Sequence, residues 1–115
     1  MLIDESDREK AIAAASAIAS QMWRPDMLRA ATSSITEDLA LLESAIGRSD
    51  LAYLGEVAHR IHGGVAALDM RPATALCRAI EESVEYEWQE EAFRLAPILQ
   101  QMLLQIRQDI EPEGD

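Results

Sequence analysis

The chain has 115 residues, 49% of them hydrophobic, which supplies one packed core and disfavours a second domain. Its net charge of -11, from 21 acidic and 10 basic residues, disfavours binding to nucleic acid or to an anionic membrane surface. A single Cys excludes an intramolecular disulfide, and no apolar stretch approaches the roughly 20 residues that span a bilayer. We therefore expect one monomeric, cytoplasmic domain over residues 1–115 that makes no membrane contact.

Apolar residues recur at spacings of three and four throughout, which predicts helices, and no alternating strand pattern competes. The first predicted helix begins near Asp4 or Ser6 and ends around Trp23 to Arg24, where Pro25 interrupts the pattern. Its apolar side comprises Ile12, Ala15, Ile18 or Ala19, and Met22. The helical part of the domain should extend from about residue 5 to residue 110, followed by a polar tail at 111–115.

Two longer helices follow. The second can be capped by Asp26 and ends at Gly47, and the third can be capped by Asp50 and ends before Pro72. The seam of the second comprises Leu28, Ala31, Ile35, Leu39, Leu42 and Ile46. The seam of the third comprises Leu51, Leu54, Ala58, Ile61, Val65 and Leu68. Both seams predict one helix face turned toward a core.

The last two predicted helices complete the core. The fourth begins at Pro72 and ends near Tyr86, and Pro97 either kinks the fifth or marks where its regular part begins. Their apolar positions are Leu76, Cys77, Ile80 and Val84 in the fourth, and Phe93, Leu95, Leu99, Met102, Ile106 and Ile110 in the fifth. Short connections between the last four helices predict an antiparallel four-helix bundle, up-down-up-down, with the first helix added at one end. Trp23, Tyr86 and Trp88 are expected to pack at the bundle ends.

His59 lies on the outer side of the third predicted helix, roughly 130° from the centre of its seam, so it should point to solvent. Its neighbours on that face are small residues, namely Ala52, Gly55, Gly63 and Ala66. Each glycine inside a helix costs about 1 kcal/mol relative to Ala. Outward-facing Gly63 therefore predicts that another surface comes close, whereas close approach of a neighbouring helix is sufficient to explain Gly64.

An exposed imidazole is a neutral nucleophile over much of the physiological pH range and can attack phosphorus without a dedicated base. Composition alone leaves the alternative open that His59 is a solvated residue without a chemical role, on a helix that happens to be rich in Ala and Gly.

The stretch Ala58-His59-Arg60-Ile61-His62-Gly63-Gly64, followed by Leu76-Cys77-Arg78-Ala79-Ile80-Glu81, resembles the histidine phosphotransfer (HPt) family. The family pattern reads approximately A-H-x-[LI]-K-G-[AS] and then L-C-x-x-[LI]-E. The resemblance implies that His59 is the phosphorylated residue, with His62 and Gly63 around the phosphoryl group. His62 replaces a lysine that usually helps to neutralise that group, and Gly64 stands where the family usually has Ala or Ser.

The resemblance also implies a phosphorelay carrier rather than an autonomous kinase, and whether such a carrier counts as an enzyme is left open. A receiver domain would dock on the face of His59 and transfer its aspartyl phosphate, which a second receiver would then accept. The expected docking residues are Ala52, Gly55, Glu56, Arg60 and Ala66. No cofactor is expected in this chain, because the magnesium ion of such transfers belongs to the receiver. The arrangement is similar to the C-terminal modules of hybrid sensor kinases.

Two other functions compete with this interpretation. Glu56 and His59 form a Glu-x-x-His pattern, but a di-iron bundle needs a second such pattern, and both His residues of the chain lie on this helix. A zinc site would need Cys77, which fits the core better. The more serious alternative is a non-catalytic helical adaptor, or an HPt-like domain made incompetent by His62.

Overall fold

A computed structural model describes residues 25–111, so the first predicted helix and the tail from residue 112 lie outside the described residues. Within that range the chain forms four helices and no strand. They are α1 (Pro25–Arg48), α2 (Leu51–Ala67), α3 (Arg71–Glu85) and α4 (Gln89–Ile110). Each helix packs against the next, and α4 also packs against α1. The all-α class and the four-helix bundle predicted from the sequence are therefore confirmed.

The core of the bundle is built from the predicted seams. Its largest fully buried members are Leu42, Leu54, Ile61, Met70, Leu76, Ile80, Leu95, Leu99, Met102, Leu103, Ile106 and Ile110. Ala45, Val57 and Met70 are buried although the seams omit them, whereas Phe93 and Val84 are only half-buried. Each helix of the bundle faces two neighbours, so its buried stripe is wider than one line of seam residues.

Of the two N-caps predicted from the sequence, one is confirmed and one is wrong. The side chain of Asp50 accepts a hydrogen bond from the backbone N–H of Tyr53 at 3.0 Å, so Asp50 is the N-cap of α2, as predicted. The N-cap predicted at Asp26 is wrong, because α1 already begins at Pro25 and Asp26 lies in the first turn. Proline suits that position because its fixed φ is helical and it has no N–H to leave unpaired.

The three connections share one geometry. Ser49, Asp69 and Glu87 each have a positive φ, between 51° and 58°, although none is glycine. In each case the N–H of the following residue bonds to the carbonyl five residues back, as in Met70 to Val65 at 3.0 Å. This is the Schellman motif, which satisfies the last carbonyls of a helix and turns the chain sharply. The first of these turns follows α1, which ends at Arg48, one residue beyond its predicted end at Gly47.

The structure corrects one expectation about the aromatic residues and removes one of the two alternatives for Pro97. Tyr86 and Trp88 are exposed and stack on each other, with ring centroids 5.2 Å apart, so they do not pack into the bundle end. Pro97 does not mark a helix start, because α4 is continuous from Gln89 and carries Pro97 on its exposed side.

Helices α2 and α3 are in close contact at Gly55. A Cβ atom built on Gly55 would lie 2.8 Å from Cγ1 of Val84, so a side chain at this position has no room. Further along α2, His62 contacts Glu81 of α3, so the two helices run in opposite directions. Nothing lies within 4 Å of a Cβ built on Gly64. Within residues 25–111 no helix therefore comes close at Gly64, so that expectation stays a prediction, whereas α3 comes close at Gly55.

Candidate functional site

The site is centred on His59, in the middle of α2. Its side chain is 82% exposed, which confirms the outward orientation predicted from the helical period. Ala58 and Ile61, on the opposite side of the same turn, are fully buried. Burial of the seam therefore fixes which way α2 faces, and this holds the imidazole of His59 in solvent.

One carboxylate of α3 contacts both imidazoles of α2. Nδ1 of His59 lies 3.1 Å from Oε2 of Glu81, and Nδ1 of His62 lies 2.6 Å from Oε1 of the same residue. The side chains of Glu81 and His62 are 27% and 23% exposed, so the pair lies at the edge of the core. In the sequence Glu81 is visible only as the last residue of the second motif, and nothing there places it beside His59.

The charge of Glu81 decides which nitrogens carry hydrogen. Burial raises the pKa of Glu81, but the hydrogen bonds from His62 and His59 outweigh it, and the pKa lies below its ordinary value. An ionised carboxylate can only accept hydrogen bonds, so Nδ1 of each ring is the donor. In neutral His59 the lone pair is therefore on Nε2, the nitrogen that does not face Glu81.

The surface around His59 carries few large side chains. Ala52, Glu56, Gly63 and Ala66 are exposed, as predicted. Gly55 is half-buried, and its missing side chain makes room for Val84 inside the protein. Gly63 has no such explanation, because a Cβ at this position would meet nothing within 4 Å.

The chain was also compared with known protein families. A family model described as Hpt domain matches residues 26–109, which is more than half of the chain. The chain belongs to the Hpt domain family. The searches of curated proteins and of solved structures each gave no match. Hpt domains carry phosphoryl groups in two-component phosphorelays and interact with receiver domains, so the general function of this chain is that of a phosphorelay carrier.

Arg60 connects two helices of the Hpt domain. Its Nε donates to Oδ1 of Asp38 at 2.9 Å, and its Nη2 donates to Oε2 of Glu37 at 3.0 Å. The side chain of Asp38 is only 6% exposed, and burial raises its pKa, which the hydrogen bond and charge of Arg60 offset only in part. Arg60 is thus the partner of a buried carboxylate, and its docking role stays a prediction.

Metal binding finds no support in the described part of the Hpt domain. Cys77 is fully buried, and burial, followed by the negative charges of Glu81 and Asp38, raises the pKa of its thiol to about 12. The thiol is therefore protonated at neutral pH and is a poor metal ligand. Between residues 25 and 111, no group of three or more His, Cys, Asp and Glu side chains is arranged to hold a metal ion.

No helix in that range is long and apolar enough to cross a membrane.

Proposed function

We propose that this Hpt domain accepts a phosphoryl group from the aspartyl phosphate of one receiver domain on Nε2 of His59 and passes it to an aspartate of a second receiver. The single observation that supports this most strongly is the pairing of His59 with Glu81. The ring of His59 is exposed, and its Nδ1–H donates to the carboxylate of Glu81. The lone pair on Nε2 is therefore free to face an approaching partner.

The proposed transfer needs no base to remove a proton from His59. The lone pair on Nε2 forms the N–P bond, the P–O bond to the receiver carboxylate breaks, and that carboxylate leaves with the bonding electrons. The hydrogen on Nδ1 stays in its hydrogen bond to Glu81, and the imidazole ring gains positive charge. The negative charge of Glu81, 3.1 Å away, stabilises that cation. Transfer to the second receiver is the reverse of these steps.

The receiver is proposed to dock on the exposed face of α2. Gly63 and Ala66 lie one and two turns beyond His59, and Ala52 lies two turns before it, so a flat surface can approach the ring. Glu56 is placed at the rim of this face. Gly63 lowers helix stability and no described residue fills the space beside it, which is expected if the partner backbone fills it. We expect the magnesium ion to be bound by the receiver and this chain to need no cofactor.

His62 is proposed to act through Glu81 rather than as a substitute for the family lysine. Its ring is mostly buried and its Nδ1 is engaged 2.6 Å from Glu81, so it cannot extend toward the phosphoryl group as a lysine would. Arg78 lies one turn before Glu81 on α3, is exposed, and has no hydrogen bond or ion pair within residues 25–111. We propose that Arg78 supplies the positive charge near the phosphoryl group.

The second candidate is an Hpt-like domain that cannot transfer phosphate and acts as a helical adaptor. The observation that favours it is the same His62, because no lysine stands at this position of α2. In that case the exposed face of α2 would bind a partner without any chemistry at His59.

A transfer assay separates the two candidates. The full chain is mixed with a radiolabelled phosphorylated receiver, alongside the variants His59→Gln and His62→Gln. We expect label on the wild type and on His62→Gln, none on His59→Gln, and an adduct that is labile in acid and stable in base. Label that persists on His59→Gln, or a wild type that no receiver of a broad panel labels, would contradict the proposal.

Several wider predictions belong to the same proposal. The domain would include residues 1–115, with an up-down-up-down bundle and an added N-terminal helix. It would be a cytoplasmic monomer, either free or part of a hybrid sensor kinase. The buried, protonated thiol of Cys77 is compatible with a reducing compartment.

A further inference from the structure

Two aromatic side chains form an exposed patch at the turn between α3 and α4. Tyr86 is 58% exposed and Trp88 is 52% exposed, and their rings stack with an angle of 25° between the ring planes. Trp is highly buried on average in folded proteins, and both residue types are enriched where proteins bind partners. We call this pair the aromatic tip, and its exposure makes it a candidate binding surface.

The geometry of the turn does not account for the exposure of the aromatic tip. The turn after α2 has the same Schellman geometry, and Met70, which follows its positive-φ residue, is fully buried. A hydrophobic residue at this position commonly packs back on the helix that it follows. Trp88 is the equivalent residue of the turn after α3, yet half of it stays in solvent, stacked on Tyr86. Its apolar surface is therefore available to a partner.

The surroundings of the aromatic tip are strongly acidic. Residues 82–91 contain five glutamates and no Lys, Arg or His. Four of them are exposed and have no ion pair within residues 25–111, namely Glu82, Glu85, Glu87 and Glu90. Two arginines at this end of the bundle are already engaged, since Arg94 pairs with Glu91 and Arg48 pairs with Asp50. The negative charge around the two rings is therefore mostly uncompensated.

A cleft between α3 and α4 adjoins the aromatic tip. It has a volume of about 230 Å³, and Trp88 lines it. Glu82 lies on its α3 side and Glu91 on its α4 side, while Arg78 lines it one helical turn further from Trp88 than Glu82. A flat cation bound beside Trp88 would therefore have an aromatic ring and carboxylates from two helices within reach.

Charge decides which occupant fits the aromatic tip. Nucleic acid, an anionic membrane surface and a second copy of this chain are all negatively charged, so the glutamates repel them. The guanidinium of arginine offers positive charge for the carboxylates and a flat face that stacks on an indole, whereas the ammonium of lysine offers charge alone. The glutamates extend from the end of α3 to the first turn of α4, which suits a segment with several basic residues better than a single small cation.

We propose that the aromatic tip is a docking surface for an arginine-bearing segment of a partner protein. One guanidinium stacks on Trp88 and pairs with Glu82, and flanking basic side chains of the segment pair with the other exposed glutamates. The proposal uses no residue of the site around His59 and does not depend on phosphoryl transfer there.

Nuclear magnetic resonance titration of the full chain with a penta-arginine peptide tests the proposal. The salt concentration is about 150 mM, which screens long-range attraction between the peptide and the acidic chain. Changes in backbone amide shifts should concentrate in residues 82–91. Trp88→Ala should weaken binding about tenfold, because stacking on the indole is lost. The control Met27→Ala removes another exposed large hydrophobic side chain, 41% exposed on α1, and should leave the affinity unchanged.

Two further comparisons separate a specific site from general attraction to an acidic protein. Glu82→Gln should weaken binding about threefold, whereas Glu43→Gln, at an exposed position of α1, should not. Penta-lysine should bind more weakly than penta-arginine, because its ammonium groups cannot stack on Trp88. Circular dichroism spectra and thermal unfolding of each variant verify that the bundle is folded.

Four results would overturn the proposal. Equal affinity of the wild type and Trp88→Ala, or equal affinity for penta-arginine and penta-lysine, would reduce the binding to general charge attraction. Arginine amide that binds as tightly as the peptide would indicate a site for a small cation. Self-association of the chain that Trp88→Ala abolishes would assign the aromatic tip to a second copy.

Discussion

In the proposed transfer, the chemistry of His59 depends on Glu81. Both of its oxygens are in use, one for each imidazole, and each accepts from an Nδ1–H. A glutamine at this position keeps the shape but offers a single acceptor oxygen and no charge. It cannot serve both rings or stabilise the cation that forms when His59 accepts a phosphoryl group.

We therefore predict that Glu81→Gln slows phosphoryl transfer to His59 about tenfold, because a charge-assisted hydrogen bond worth about 1.5 kcal/mol is lost. Single-turnover transfer from a phosphorylated receiver measures the rate. Nitrogen chemical shifts of His59 report the tautomer, which a purely structural defect would not alter. An unchanged rate with an unchanged tautomer would show that Glu81 does not orient the ring.

The same residue predicts how stability depends on pH. Burial raises the pKa of Glu81, and the hydrogen bonds from His62 and His59 lower it further than burial raises it, to below the ordinary value of 4.5. A carboxyl whose pKa is lower in the folded state stabilises the fold above the unfolded pKa. That contribution is lost as the pH falls through the folded pKa.

Denaturant unfolding between pH 6 and pH 3 measures this effect. The wild type should lose unfolding free energy below about pH 4.5, and its advantage over Glu81→Gln should shrink in the same window. A difference between the two proteins that is constant across this range would mean that Glu81 titrates alike in the folded and unfolded states.

At the scale of one element, two of the three glycines in helix α2, Gly55 and Gly63, have opposite effects on packing. Gly55→Ala places a Cβ 2.8 Å from Cγ1 of Val84, a β-branched side chain that cannot easily move. We expect it to lower the unfolding free energy by about 1 kcal/mol, since overpacking outweighs the gain in helix propensity. Gly63→Ala meets no atom, so we expect it to raise the unfolding free energy by about 1 kcal/mol.

Receiver binding and stability should respond to Gly63→Ala in opposite ways. Gly63→Ala should weaken receiver binding although it raises the unfolding free energy. As a control for the packing at Gly55, the double variant Gly55→Ala with Val84→Ala should recover part of the unfolding free energy that Gly55→Ala loses. Chemical denaturation and titration with a receiver measure the two effects. A more stable Gly63→Ala protein with unchanged receiver affinity would remove the proposed reason for this glycine.

The turns between helices provide a further test. Glu87 has a φ of 58°, a conformation that costs a residue with a side chain roughly 1–2 kcal/mol. Glu87→Gly should therefore raise the unfolding free energy, and with it the thermal unfolding temperature. The expected gain is about 0.5–1 kcal/mol, because the greater unfolded-state entropy of glycine cancels part of the relieved strain. The control Glu82→Gly, within α3, should lower it. Equal losses from both would indicate that the turn is not strained.

The helices and the exposed face of α2 were predictable from the sequence because they depend on a local period. Leu54, Ala58 and Ile61 define the buried side of α2, and this places His59 in solvent without knowledge of the neighbouring helices. Contacts between helices depend on their register, which no local pattern fixes. The sequence therefore could not place Glu81 against His59, 22 residues away, or assign the close approach of α3 to Gly55.

At the scale of the whole molecule, we propose that the bundle supports one reactive nitrogen, Nε2 of His59. The four described helices enclose a continuous core. The buried seam of α2 turns His59 toward solvent, and the carboxylate of Glu81 on α3 contacts its ring. In the proposed transfer no proton leaves the site and no helix has to move. The domain can therefore load and unload its phosphoryl group at the same surface.

Nuclear magnetic resonance of the phosphorylated full chain, with nitrogen-15 in its histidines, tests this account most directly. The account predicts that phosphorus is coupled to Nε2 of His59, that Nδ1 of the same ring still carries its hydrogen, and that His62 is unmodified. Phosphorus on Nδ1 of His59, or on either nitrogen of His62, would contradict it.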